Sequence, residues 1–139
     1  MKVIVFMLLS FLSLAAFADG VNVGLGGHSP VSYLDSNKAI YGNPKFKSEH
    51  EGRAYYFESA SSKAKFDKNP SKYVAGVQYD GWCATGLAMM GKKIASDPTI
   101  FSVDSGKVYF FSSPEAKKMF DKDIKKIASD ADTAWSKIK

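Results

Sequence analysis

The sequence contains a single cysteine, Cys83, in a chain of 139 residues. Without a second cysteine no disulfide can form within the chain, so the packing of apolar side chains has to supply its stability. The chain is long enough to bury one hydrophobic core of ordinary size. We therefore expect a fold that is held together by its core rather than by cross-links.

The N-terminus has the features of a secretory signal. Lys2 precedes an apolar run from Val3 to Phe17, and Ala16-Phe17-Ala18 has the small-x-small pattern of a cleavage site. Two serines interrupt the run, and an uncleaved membrane anchor needs about 20 apolar residues. We expect residues 1–18 to be removed and 19–139 to form a single periplasmic or secreted domain without a membrane span.

The charge pattern argues against a nucleic-acid partner. The formal net charge is +5, and it becomes +4 when Lys2 leaves with the signal. Arg53 is the only arginine, and the lysines are scattered over predicted helix faces, whereas nucleic-acid binders usually cluster basic residues within a recognisable motif. We interpret the lysines as a solvated surface.

Short aromatic segments separated by turn residues predict antiparallel strands. Glu51-Gly52 and Asp104-Ser105-Gly106 have the composition of hairpin turns, with glycine available for a positive φ. Tyr55 and Phe57 should face one side of the first hairpin, and Tyr56 the other. The predicted strands are a short one starting at Pro30, then Ala39–Gly42, Phe46–His50, Arg53–Phe57, Ile100–Val103 and Lys107–Phe111.

Three segments carry helix signals. Ser59 is a cap residue before Ala60–Lys68, and Asn69-Pro70 starts a second short helix that extends to about Tyr73. Ser113-Pro114 starts a long C-terminal helix with a continuous apolar stripe from Ala116 to Ile138, in which Met119 and Trp135 should pack in the core.

The order of these elements predicts an α+β fold, in which short helices and the long C-terminal helix pack on a small antiparallel sheet of short strands and hairpins. We see no internal repeat in the sequence.

Several segments carry a resemblance to a known family. They are Ser29-Pro30-Val31-Ser32-Tyr33-Leu34, Glu49 to Ser59, the residues Phe66, Pro70 and Tyr73, Tyr79-Asp80-Gly81-Trp82-Cys83-Ala84-Thr85-Gly86, Asp97-Pro98, Val108-Tyr109, and Ala131-Asp132 to Trp135. In this order and spacing the chain resembles the YHS domain family, and in particular its exported, stand-alone branch. The resemblance covers nearly all of 19–139.

The resemblance implies a treble-clef-like hairpin and helix, but this chain departs from the metal-binding members. Their cysteines fall at the positions of Ser32, Glu58 and Ser62. A structural zinc site needs four Cys or His ligands, and this chain has one cysteine and two histidines. Structural zinc is therefore not expected.

Cys83 is the remaining residue with distinctive chemistry, within the glycine-rich stretch Gly76–Lys93. It could be a buried inert residue, a metal ligand, a nucleophile or half of an intermolecular disulfide. Soft sulfur ligands favour Cu(I), so a copper site could combine Cys83 with Met89, Met90, His50 or His28. A nucleophile would need His28 or His50 as a base, with Asp80 to orient it.

We expect a non-enzymatic binding or accessory module that could bind a soft metal ion, with copper favoured, through Cys83. The alternatives are a thiol-dependent enzyme or redox protein that uses Cys83, and a purely structural module that binds a protein partner.

Overall fold

The computed structural model describes residues 22–139, so the predicted signal at 1–18 lies outside the described part. The fold is α+β, as predicted. Its helices and strands follow one another as α1 Pro30–Ser36, β1 Asn43–His50, β2 Arg53–Phe57, α2 Ala60–Lys68, α3 Pro70–Gly76, α4 Ala84–Met90, β3 Asp97–Asp104, β4 Lys107–Phe111, α5 Pro114–Lys122 and α6 Ile124–Ile138. Short 3₁₀ turns at Gly24–Gly27 and Gln78–Gly81 precede α1 and α4.

The strands form two separate antiparallel hairpins instead of the one sheet that we expected. β1 pairs with β2, and β3 pairs with β4. The predicted turns are confirmed: Glu51 and Gly52 have φ values of 50° and 75°, and Ser105 and Gly106 have the same two values. Tyr55 and Phe57 are buried on one side of the first hairpin, as the alternation predicts.

These elements show that the chain is an internal repeat, so our prediction of no repeat is wrong. The series of 3₁₀ turn, short helix, hairpin and two helices occurs twice. Gly24 corresponds to Gln78, and the offset of 54 residues holds without a gap through the second helix after each hairpin. We call 23–76 the first half and 77–139 the second half.

The repeat is difficult to see in the sequence because its identical residues are scattered. They include a glycine in each hairpin turn, a proline near the start of each hairpin, aromatic residues in the second strand and the serine that caps the following helix. Identical pairs are Pro44 and Pro98, Ser48 and Ser102, Gly52 and Gly106, Tyr55 and Tyr109, Phe57 and Phe111, Ser59 and Ser113, Lys63 and Lys117, Phe66 and Phe120, and Asp67 and Asp121.

Each half fastens its hairpin to the following helix in the same way. In the second half, the Ser102 hydroxyl donates to the Asp121 carboxylate over 2.7 Å, and Lys117 forms an ion pair with the same carboxylate. In the first half, Ser48 and Lys63 both donate to Asp67. The recurrence of this arrangement at an offset of 54 indicates a structural role for it.

A buried aromatic cluster joins the two halves. Tyr33 of α1 is fully buried and meets the rings of Phe101 and Phe110 edge-on, at centroid distances of 4.8 and 5.1 Å. Its hydroxyl donates to the carbonyl of Pro98 over 2.7 Å. The halves therefore share apolar surface and a hydrogen bond.

The segment from Pro30 is a helix, not the strand that alternation suggested. Proline at the first helical position and Asn37 in the left-handed region at the C-cap define its ends. The first turn of the helix, Pro30–Tyr33, is buried on every side. The sequence of this turn therefore lacks the alternation of apolar and polar faces by which a helix is recognised. The predicted strand Ala39–Gly42 is reduced to one bridge between Tyr41 and His28.

The C-terminal region is two helices instead of one. Asp123 has extended backbone angles, with φ −150° and ψ 72°, and its side chain accepts a hydrogen bond from the backbone N–H of Lys126. It therefore ends α5 and caps α6, as Asn69 does between α2 and α3. Within this region Trp135 is partly buried as expected, but Met119 is 43% exposed and is not a core residue.

Within residues 22–139, no helix is long and apolar enough to cross a membrane.

Candidate functional site

Cys83 lies at the N-cap of α4, a helix that the sequence analysis missed. The residue is 1% exposed, and its sulfur accepts a hydrogen bond from the backbone N–H of Gly86 at 3.4 Å. Its own N–H donates to the carbonyl of Ile94 over 2.9 Å. A side chain on Gly86 would collide with Ile94, at 2.7 Å from its Cγ1. The thiol is thus enclosed where α4 begins.

The other predicted metal ligands are not gathered around this thiol. Met89 and Met90 lie on the surface at the end of α4, 59% and 57% exposed. His28 is buried in the first half at the C-cap of the first 3₁₀ turn, where its Nδ1 is 3.1 Å from the carbonyl oxygen of Leu25. His50 lies at the end of β1, 3.8 Å from Glu51. In 22–139 there is no group of three or more His, Cys, Asp or Glu residues placed to hold a metal ion.

Ser32, Glu58 and Ser62, the positions at which the resemblance would place metal-binding cysteines, lie in a small polar cluster in the first half. The Ser62 hydroxyl donates to Glu58 Oε1 over 2.5 Å, while the Ser32 hydroxyl donates to the carbonyls of Ser29 and Lys38. Ser29 Oγ and Glu58 Oε2 are buried, and neither makes a hydrogen bond of normal geometry with a described residue. Burial raises the pKa of Glu58, but the hydroxyls of Ser29 and Ser62 outweigh it and hold that pKa below its usual value.

A cleft of about 300 Å³ lies where the two halves meet. Both 3₁₀ turns contribute to its wall, because Leu25 and Gly26 come from the first turn and Asp80 and Gly81 from the second. It is completed by Trp82, Ala95, Ser96, Pro98 and Phe110. The lining is mainly apolar and contains one ionisable side chain, that of Asp80.

The cleft wall is fixed by buried contacts. Phe110 is 1% exposed and its backbone forms a bridge with Cys83, while the carbonyl of Pro98 accepts from Tyr33. The Ser96 hydroxyl donates to the carbonyl of Gly81. Residues from α1, β3, β4 and the second turn thus hold the cleft in place, so its shape depends on both halves.

No protein-family model, curated protein or solved structure matches this chain.

The cleft is not predicted from the sequence. Asp80, Trp82 and Pro98 lie in segments that carry the family resemblance, but nothing in the sequence indicates that they bind a ligand. The missing signal was the repeat. Once Gly26 is aligned with Asp80, the two turns have matching left-handed angles, with φ values of 58° and 51°.

Proposed function

We propose that this chain is an exported, non-enzymatic YHS-type binding module whose ligand site is the cleft between its two halves. One observation carries the proposal: the partly exposed ring of Trp82 and the carboxylate-bearing residue Asp80 line the same apolar cleft. Small-ligand sites are typically concave and mostly apolar, with a few polar groups that orient the ligand. The cleft is at the lower end of their usual size of roughly 300–1,000 Å³.

The surroundings of Cys83 support a binding module more than a thiol enzyme. A nucleophile has to reach its substrate and needs a base within hydrogen-bond distance. Cys83 is 1% exposed, and its hydrogen bonds are to backbone groups of Gly86 and Ile94.

Copper binding through Cys83 stays a prediction with its own test. The purified chain and its Cys83→Ser variant are titrated with Cu(I) against a competing chelator. Loss of a one-to-one site in the variant supports ligation by the thiol, and the absence of any site in the unsubstituted chain rules it out. Met89 and Met90 are exposed and the sulfur of Cys83 is buried. A copper site formed by the two methionines alone would therefore be recognised because it would persist in the Cys83→Ser variant.

The cleft is tested by fluorescence of Trp82. In a Trp135→Phe background Trp82 is the only tryptophan, so its emission reports on the cleft. We would screen a set of small aromatic and aliphatic amines, acids and alcohols at millimolar concentration. Saturable changes for at least one compound are expected.

The control for this screen is the converse variant, Trp82→Phe, in which Trp135 is the reporter. Its emission should not change, because Trp135 packs against the core cluster around Tyr79 and lies outside the cleft. The absence of any saturable binder to the Trp82 reporter would contradict the proposed function.

A further inference from the structure

The first half has a stacked pair of aromatic rings that the second half lacks. In the first half, the ring of Tyr41 stacks on His28, with centroids 4.0 Å apart and an angle of 30° between the rings. The corresponding residues of the second half are Ala95 and Trp82. Alanine has no ring, and no aromatic side chain of 22–139 is found stacked on Trp82. The second half therefore has a ring at the position of His28, that of Trp82, but no ring at the position of Tyr41.

The charge at the cleft differs between the halves as well. Gly26 of the first turn corresponds to Asp80 of the second, and both line the cleft. Asp80 is exposed, and no cationic side chain among residues 22–139 lies within ion-pair distance of its carboxylate. The cleft that Trp82 lines thus also has a carboxylate that can pair with a cation.

We propose that the cleft binds a small aromatic amine, with its ring stacked on Trp82 and its ammonium group paired with Asp80. This inference rests on the proposed function and names the ligand class of the same site. Tyr41 shows within this molecule that the fold accommodates a phenol ring at the corresponding place. Offset stacking of aromatic rings, and attraction of a cation to the face of tryptophan, both favour such a ligand.

The size of the cleft agrees with this class. A volume of about 300 Å³ is sufficient for one six-membered ring with a short side chain, and it lies at the lower limit of small-ligand sites. Pro98 and Phe110 supply apolar contacts for the ring, and the carbonyl of Gly81 is already hydrogen-bonded by Ser96. Asp80 carries the one ionisable side chain of the lining, so its carboxylate is the anionic group available to the ammonium.

The test compares three probes by calorimetry on the purified chain. Tyramine carries both the ring and the amine, phloretic acid carries the same ring with a carboxylate, and butylamine carries the amine without a ring. Tyramine should bind at least about 10-fold more tightly than either of the others, because each lacks one of two contacts. Equal binding of tyramine and phloretic acid, or of tyramine and butylamine, would overturn the inference but leave the proposed function intact.

Two variants assign the contacts. Ala95→Tyr restores the ring of the first half and should abolish tyramine binding by covering Trp82. Asp80→Asn keeps the size of the side chain and should weaken tyramine about 3- to 10-fold, with less dependence on salt. Glu115→Gln, an exposed acidic residue on α5 outside the cleft, is the matched control and should bind as the unsubstituted chain does.

The variants also separate folding from binding. Ala95 is exposed, so a tyrosine there should leave the unfolding midpoint nearly unchanged. If Ala95→Tyr does not fold, Asp80→Asn alone decides the assignment. Undiminished tyramine binding by folded Asp80→Asn would overturn the role of the carboxylate, and undiminished binding by folded Ala95→Tyr would overturn stacking on Trp82.

Discussion

Cys83 and Ser29 occupy the same position in the two halves, each at the N-cap of a short helix. Each donates its N–H to the corresponding carbonyl, Ser29 to Ile40 and Cys83 to Ile94, over 2.8 and 2.9 Å. Both positions hold a small side chain; the Cys83 sulfur accepts a cap hydrogen bond from the N–H of Gly86, whereas the Ser29 hydroxyl accepts none from its helix. This geometry explains the cysteine by its structural position at the N-cap of α4 and requires no reactivity of the thiol.

Replacing Cys83 with serine should leave the fold intact. The hydroxyl is a good N-cap acceptor, so we expect the free energy of unfolding to change by less than about 1 kcal/mol. Cys83→Ala removes the acceptor and should cost about 1–2 kcal/mol. Urea unfolding measures both variants. A larger loss for serine than for alanine would contradict the capping role.

Glu58 should make the stability depend on acid pH. Its pKa is below the usual value in the folded state, so its contribution is fully present above the ordinary pKa near 4.5 and is lost as the pH falls through the folded-state value. The thermal midpoint of Glu58→Gln should therefore fall less steeply than that of the unsubstituted chain below about pH 4.5. An identical acid profile for the two proteins would show that Glu58 does not have this role, and Glu115→Gln serves as the control.

At the level of secondary-structure elements, strong local signals were sufficient. Both hairpins, the helix Ala60–Lys68 and the start of the helix at Pro114 were predicted from turn residues, cap residues and proline, and the structure confirms them. The helices α1 and α4 were missed, and each begins with a run of consecutive buried residues, Pro30–Tyr33 and Ala84–Leu87. α4 packs on α5, α6 and β4 of its own half, and α1 packs on α2, α3 and β2 of its own half and on β4 of the other, so a buried turn hides the helical period in the sequence.

The break between α5 and α6 can be tested at Asp123. If Asp123 caps α6, Asp123→Ala should lower the free energy of unfolding by about 1 kcal/mol. Asn69→Ala, at the corresponding position of the first half, should have an effect of similar size. If instead one continuous helix ran through this position, alanine would raise the stability because of its higher helix propensity. Urea unfolding of the two variants distinguishes the two cases.

At the scale of the whole molecule, the repeat organises both the fold and the cleft. Turn and cap residues predict most of the elements, but they do not show that the two hairpins form separate sheets. A single cysteine is chemically distinctive, and Cys83 is therefore the obvious candidate site in the sequence. The cleft was not predictable in this way, because its residues come from two turns that are brought together only by packing of the halves around Tyr33.

The hydrogen bond of Tyr33 should contribute to holding the halves together. Tyr33→Phe removes the donor to the carbonyl of Pro98 and leaves the ring in place, so we expect a loss of about 1 kcal/mol in the free energy of unfolding. Tyr41→Phe is the matched control, because Tyr41 is 71% exposed and its hydroxyl has no hydrogen-bond partner in the part of the chain that the structure describes. Equal effects of the two substitutions would contradict this role of Tyr33.

The central claim is that the junction of the two halves is the binding site, and amide chemical-shift mapping tests it most directly. The purified, ¹⁵N-labelled chain would be titrated with the tightest ligand from the Trp82 screen. We predict saturable shifts concentrated at the amides that line the cleft, namely Gly26 of the first half and Gly81, Trp82, Ser96 and Phe110 of the second. Shifts confined to another surface, with these amides unchanged at saturation, would contradict the account.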